Sequence, residues 1–310
     1  MKSILKKSWM MAMIGCFCFF SVWLLGPSQA MAYEMLKGDL SKYDPNNQNL
    51  VTSGDTIKIA IWDQYTGVNA FLGQAYSALL GFAAQDINSQ GGIRIDGKMK
   101  KIQIVPADTQ GRPDPAKRAA EKAILRDKVH AFAGVAGTHL AKVGQAVAKQ
   151  YKTIFLNVSA YSDELMDLPD WNEYVFRTCG TSATTGKSLA IFYEKRPETK
   201  FYILCQDYAW GHSSAKAFKE QLKAHKPKAK IVGEEYFPVY NKDFAPYLEK
   251  VRASGAEVVV TMAWGADNEN LIKQSRQLGL KSPLKPEYYI PMASPFLDDT
   301  RPPGDLLYRR

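Results

Sequence analysis

Cysteine is scarce in this chain, and so is every motif that would mark an active site. Of four cysteines, Cys16 and Cys18 lie in an N-terminal apolar run, which leaves Cys179 and Cys205 for the rest. A disulfide-built scaffold is excluded, and spacing alone does not say whether these two pair. The four histidines, His130, His139, His212 and His225, have no metal-ligand spacing. No G-x-S-x-G elbow, G-x-G-x-x-G turn or P-loop is present. Catalytic residues, a bound metal and an organic cofactor are therefore not expected.

The net charge of +9 does not imply nucleic acid. Three of those charges belong to Lys2, Lys6 and Lys7, and the remaining basic clusters, such as Lys98–Lys101 and Lys223–Lys230, have no interleaved aromatic stacking residues. They read as solvated surface.

The three early lysines start an export signal. Trp9–Leu25 is an uncharged apolar run, and Ala30-Met31-Ala32 is a small-residue cleavage site before Tyr33. The run sits at the short end of a membrane span and is followed at once by Pro27, which favours cleavage over anchoring. Residues 1–32 are thus expected to be a signal peptide and the remainder a periplasmic protein.

After a polar lead-in over 33–55, short apolar runs alternate with longer amphipathic segments, the pattern of βαβ units. Strands are expected at Ile57–Trp62, Ile102–Val105, His130–Val135, Thr153–Asn157 and Val175–Thr178. The helix after the first should face inward through Leu72, Ala75, Leu79, Ala83 and Ile87. The next should be capped by Asp114, with Pro115 at its first position and an alanine-rich inner face. The pattern restarts at Ser182, with strands at Phe201–Cys205, Lys230–Gly233 and Glu257–Met262, and a last helix from Asp267 to a stop at Gly279. The fold class is α/β, two Rossmann-like lobes with mainly parallel sheets over 56–177 and 178–310.

Ligands in such sheets sit beyond the carboxyl ends of the strands. Three first-lobe loops qualify: Tyr65-Thr66-Gly67 with Phe71-Leu72-Gly73, Gly134–Thr138, and Ser159-Ala160-Tyr161-Ser162. Thr138 stands where a helix begins, so it either caps that helix or helps to hold a carboxylate. Trp210 and Trp264 follow strands at matching points of successive units and should face one crevice edge.

Ala83-Ala84-Gln85-Asp86-Ile87-Asn88-Ser89-Gln90-Gly91-Gly92-Ile93, then Gly97-Lys98, resembles the signature of the branched-chain amino-acid type (type I) periplasmic binding proteins. Asp108 with Asp114-Pro115, Phe155–Leu165, Phe176-Arg177-Thr178, Trp210-Gly211 and Arg276–Leu280 extend the resemblance from about Ile57 to Lys281. It implies a two-lobed receptor that delivers a small molecule to an inner-membrane ABC permease. It also implies ligand contacts at Thr138, Ser159, Ala160, Tyr161, Trp210 and Trp264, with Phe71 and Leu72 as a side wall.

Two departures stand out. The acidic partner that amino-acid receptors offer to the ligand's ammonium has only Glu287 as a candidate. From about residue 291 the chain resembles nothing in that family, which reads as an atypical tail on an incomplete second lobe, from a truncated or frameshifted frame. Alternatives of other classes are a ligand-sensing receptor of a signalling system and an exported α/β hydrolase around His212 and Ser213.

Overall fold

The computed structural model describes residues 36–41, 43–44, 54–167 and 171–296. The expected signal peptide and the end of the tail lie outside the described residues.

The first sheet has six strands, β1 (Thr56–Asp63), β2 (Ile93–Ile95), β3 (Lys98–Asp108), β4 (Ala131–Gly134), β5 (Ile154–Asn157) and β6 (Val175–Arg177), in the order β2-β3-β1-β4-β5-β6. All neighbours are parallel except the β2–β3 hairpin. Its helices are α1 (Ala70–Ser89), α2 (Pro113–Leu125) and α3 (Thr138–Tyr151). Then come α4 (Ser182–Glu194), β7 (Lys200–Gln206), α5 (Ala209–His225), β8 (Lys230–Phe237), α6 (Ala245–Ser254), β9 (Val258–Val260), α7 (Gly265–Gln277) and β10 (Met292–Ala293). The second sheet is all parallel, in the order β10-β9-β7-β8. Strands buried on both faces explain the near-continuous apolar runs Ile57–Trp62 and Phe201–Cys205.

In the first lobe, Trp62, Phe132 and Phe155 pack with ring centroids 4.9–5.6 Å apart beneath the alanine face of α2, and Trp62 Nε1 donates to the Ala116 carbonyl at 2.8 Å. The second lobe buries Phe201, Phe218, Val258 and Met262. Each fully buried large side chain contributes about 1.5–3 kcal/mol.

Several local expectations are corrected. On α1 the inward face is Gly73, Ser77, Gly81, Ala84 and Asn88, with Tyr76 and Leu80 beside them, whereas Ala75 and Leu79 are exposed. Small residues win because α1 lies close on the sheet: Gly73 N–H donates to the Gln64 carbonyl at 2.9 Å, and Asn88 bonds both the N–H (2.6 Å) and C=O (2.8 Å) of Ile102. Part of the lead-in lies along the other side of α1, where Asp86 accepts from Leu36 N and Gly38 N, and Tyr43 packs edge-on to Phe82. Helix α2 is capped at Arg112 rather than Asp114, because Pro113 already supplies the fixed φ of a first helical residue. Cys179 and Cys205 are free thiols.

Candidate functional site

The carboxyl ends of β4, β5, β7, β9 and β10, together with the start of α1, converge on a cavity of about 280 Å³ between the lobes. All eight residues singled out from sequence, Phe71, Leu72, Thr138, Ser159, Ala160, Tyr161, Trp210 and Trp264, line it. Tyr76, Tyr208, Gly265, Pro295 and Phe296 complete the wall, along with Ala136 and Gly137.

The first-lobe loops are held from behind. Asp63, fully buried at the end of β1, accepts from Gln64 N at 2.7 Å and from Ala136 N at 3.2 Å. Burial pushes its carboxyl up to about 7 against the lowering effect of those two bonds. Gly137, at φ +100°, is the residue before α3 and brings no side chain to the helix end. Thr138 is therefore the first helical residue and not the cap. It is 2% exposed, and its Oγ1 has no hydrogen-bond partner among the described residues. Of the opening N–H groups of α3, those of Thr138 and His139 have no partner within the helix, whereas Leu140 N and Ala141 N donate to the Gly137 carbonyl at 3.2 and 3.0 Å; Gly137 and Thr138 both line the cavity.

Asn157 shapes the neighbouring loop. Its Oδ1 accepts from Ala160 N at 2.8 Å and its Nδ2 donates to the Ala160 carbonyl at 2.8 Å. Ala160 thus has its N–H committed within the loop and contributes mainly shape. Ser159 Oγ accepts from Tyr76 Oη at 2.5 Å, which leaves the serine's own proton to be donated elsewhere. Burial raises the Tyr76 phenol to about 12, so it stays protonated at neutral pH.

The second-lobe wall is aromatic. Trp210 Nε1 donates to the Met262 carbonyl at 2.9 Å, and Trp264 Nε1 donates to Tyr208 Oη at 2.7 Å. Both indoles therefore present ring faces rather than donors to the cavity. Tyr161, Trp210 and Phe296 form a cluster with centroids 5.5–5.7 Å apart. His139 meets Tyr208 edge-on at 6.3 Å across the cleft, and burial lowers its pKa, which keeps it neutral.

The lobes also meet at Gly265, whose φ is +59° and where an added Cβ would lie 2.6 Å from Asn69 Oδ1. Only glycine allows that approach.

Glu287 takes no part in the cavity. It is exposed in the segment that leads into β10, at the amino end of the second sheet and away from the strand tips. His212 and Ser213 are not a nucleophile–base pair: His212 Nε2 lies 2.8 Å from Asp207, while the Ser213 hydroxyl bonds Ser182 Oγ at 2.6 Å and the Trp210 carbonyl at 3.2 Å. Among the described residues no cluster of His, Cys, Asp and Glu could hold a metal ion.

Reasoning from sequence missed Tyr76, Tyr208 and Phe296. Tyr76 follows from reading the small-residue stripe of α1 as its inner face. Tyr208 shares its strand-end loop with Trp210. Phe296 falls in the segment set apart as a tail, yet β10 pairs in register with β9 and carries it to the cleft.

A family model for periplasmic binding proteins matches residues 56–302. The chain belongs to that family. The match passes residue 291, so the start of the tail is part of it. An amino acid binding protein of Pseudomonas aeruginosa is 28% identical over 225 residues, 72% of this chain and 58% of its own length. A solute binding protein of an ABC transporter from Rhodopseudomonas palustris, solved with 3,4-dihydroxybenzoic acid, is 27% identical with a TM-score of 0.65, covering 74% of this chain and 60% of that one. A leucine-, isoleucine-, valine-, threonine- and alanine-binding protein of Brucella ovis, in its closed conformation, is 25% identical with a TM-score of 0.65, covering 79% and 61%. The fold is the type I periplasmic binding protein fold. The chain spans under two thirds of the length of these relatives.

Proposed function

We propose that this member of the periplasmic binding protein family is a solute receptor that holds a small carboxylate between its lobes and presents the closed form to an ABC permease in the inner membrane. The observation that carries this reading is Thr138, first residue of α3 and part of the wall of a cavity bounded by both lobes, whose buried hydroxyl has no partner among the described residues. A carboxylate placed there accepts from the hydroxyl and the free N–H groups and lies at the positive end of the helix dipole. Ligand contacts at Thr138, Ser159, Tyr161, Trp210 and Trp264, with Phe71, Leu72 and Ala160 as walls, follow from the same placement.

The mechanism is gripping without chemistry. A solute that touches both lobes gains contacts only when they are closed, so its differential affinity shifts the hinge equilibrium toward that state. Closure excludes water and strengthens each polar contact. The relatives support a carboxylate, since those named above are described with amino acids or with a hydroxybenzoic acid. Residues 1–32, read as an export signal, support a periplasmic receptor on the permease's outer side.

A thermal-shift panel of aliphatic amino acids, aromatic acids, amides and betaines tests the reading, because a ligand of the folded state raises Tm by mass action. At least one carboxylate is expected to raise Tm in a dose-dependent way. A panel with no shift, or a solute consumed on incubation, contradicts it.

A further inference from the structure

We infer that the solute is an aromatic monocarboxylate that carries no ammonium or other cationic group; this deepens the receptor reading and rests on it. The polar side chains that line the cavity are uncharged hydroxyls, those of Thr138, Ser159, Tyr76, Tyr161 and Tyr208, each able to donate, and the first N–H groups of α3 lie at the same wall. Among the described residues, none that lines the cavity is Asp or Glu. Two buried carboxylates beside the lining loops, Asp63 and Asp267, are turned to other work. Asp63 holds Gln64 N and Ala136 N behind the α3 loop, and Asp267 accepts from Gln206 Nε2 at 2.6 Å and Tyr240 N at 2.8 Å. An α-ammonium closed into this space would lose its water and gain no counter-charge.

What remains for the rest of the solute is aromatic surface. The indole N–H groups of Trp210 and Trp264 are occupied, and it is the half-buried Trp264, with Tyr161 and Phe296, that has ring surface to offer while Trp210 backs them. The cavity of about 280 Å³, just below the usual size of ligand sites (roughly 300–1,000 Å³), has room for one flat ring and a carboxylate. A quaternary amine is a poorer match, because Tyr161, Trp210 and Phe296 pack on one another at 5.5–5.7 Å and leave no gap for a cation between their faces.

Calorimetry with the full chain separates these classes through matched probes: 3-phenylpropanoate against L-phenylalanine, which differ only by the ammonium, then 4-methylpentanoate against L-leucine, with benzoate and glycine betaine alongside. The aromatic acids are expected to bind at least tenfold more tightly than L-phenylalanine, and 3-phenylpropanoate more tightly than 4-methylpentanoate. Equal or tighter binding of either amino acid, or of betaine, overturns the inference and leaves the receptor reading standing. Silence from every probe of every class overturns both. The Thr138→Val variant, its folding checked by Tm without ligand, is expected to lose tenfold or more for the aromatic acid; undiminished affinity would remove the carboxylate from this helix end.

Discussion

Tyr76 on α1 donates its phenol proton to Ser159 Oγ at 2.5 Å, tying the helix that follows β1 to the loop that follows β5. The bond sets the serine hydroxyl toward the cavity while burial keeps the phenol protonated. Tyr76→Phe removes that orientation without changing the wall's shape. It is expected to weaken ligand binding by about 0.5–1.5 kcal/mol, measured by calorimetry, with little change in Tm of the free protein.

Thr138→Ala separates binding from stability. Its Oγ1 has no partner among the described residues, so removing it is expected to leave unliganded Tm unchanged or slightly higher. Ligand affinity is expected to fall by about 1–3 kcal/mol, the worth of a charge-assisted hydrogen bond. Thr138→Ser should retain most of it, which paired thermal melts with and without ligand will read.

Gly265 lets the second lobe approach Asn69 of the first. An alanine there must adopt φ +59° and bring its methyl against Asn69 Oδ1. Gly265→Ala is expected to cost about 1–2 kcal/mol of stability from the left-handed backbone alone. It should also leave the lobes further apart, seen as a larger radius of gyration in small-angle scattering at saturating ligand.

Asp63 gives stability a pH dependence. Its folded pKa of about 7 lies above the ordinary 3.8, so the folded protein binds more protons than the unfolded chain between those values. Stability from this group is therefore full below about pH 4 and declines as pH rises to 7. Asp63→Asn should flatten that decline in urea melts taken from pH 4 to 8; an unchanged slope would remove Asp63 as its source.

Strand positions and loop choice were legible in the sequence because parallel strands buried on both faces leave long apolar runs, and strand-end loops are where such folds build sites. Ile57–Trp62 and Phe201–Cys205 lie inside observed strands for that reason. The inner face of α1 was not legible. Hydrophobic spacing selects Leu72, Leu79 and Ile87, but close approach to the sheet selects Gly73, Ser77 and Asn88, and Leu79 is 65% exposed as a result. Pro295 and Phe296 were hidden because β10 has only two residues, too few to leave a periodic signal, and it is pairing with β9 that places them. Thr138 shows a third limit. Its identity suits a helix cap as well as a ligand contact, and it is the position of Gly137 as the residue before α3 that removes the capping role.

The central claim is that a cleft between two lobes holds a small carboxylate and leaves it intact. Equilibrium dialysis of the full chain against a mixture of small carboxylates, with mass spectrometry of the retained fraction, tests it most directly. One solute retained near one per chain, unaltered in mass and lost from Thr138→Val, is the expected result. Retention of nothing, recovery of a chemically altered product, or equal retention by the variant would contradict the account.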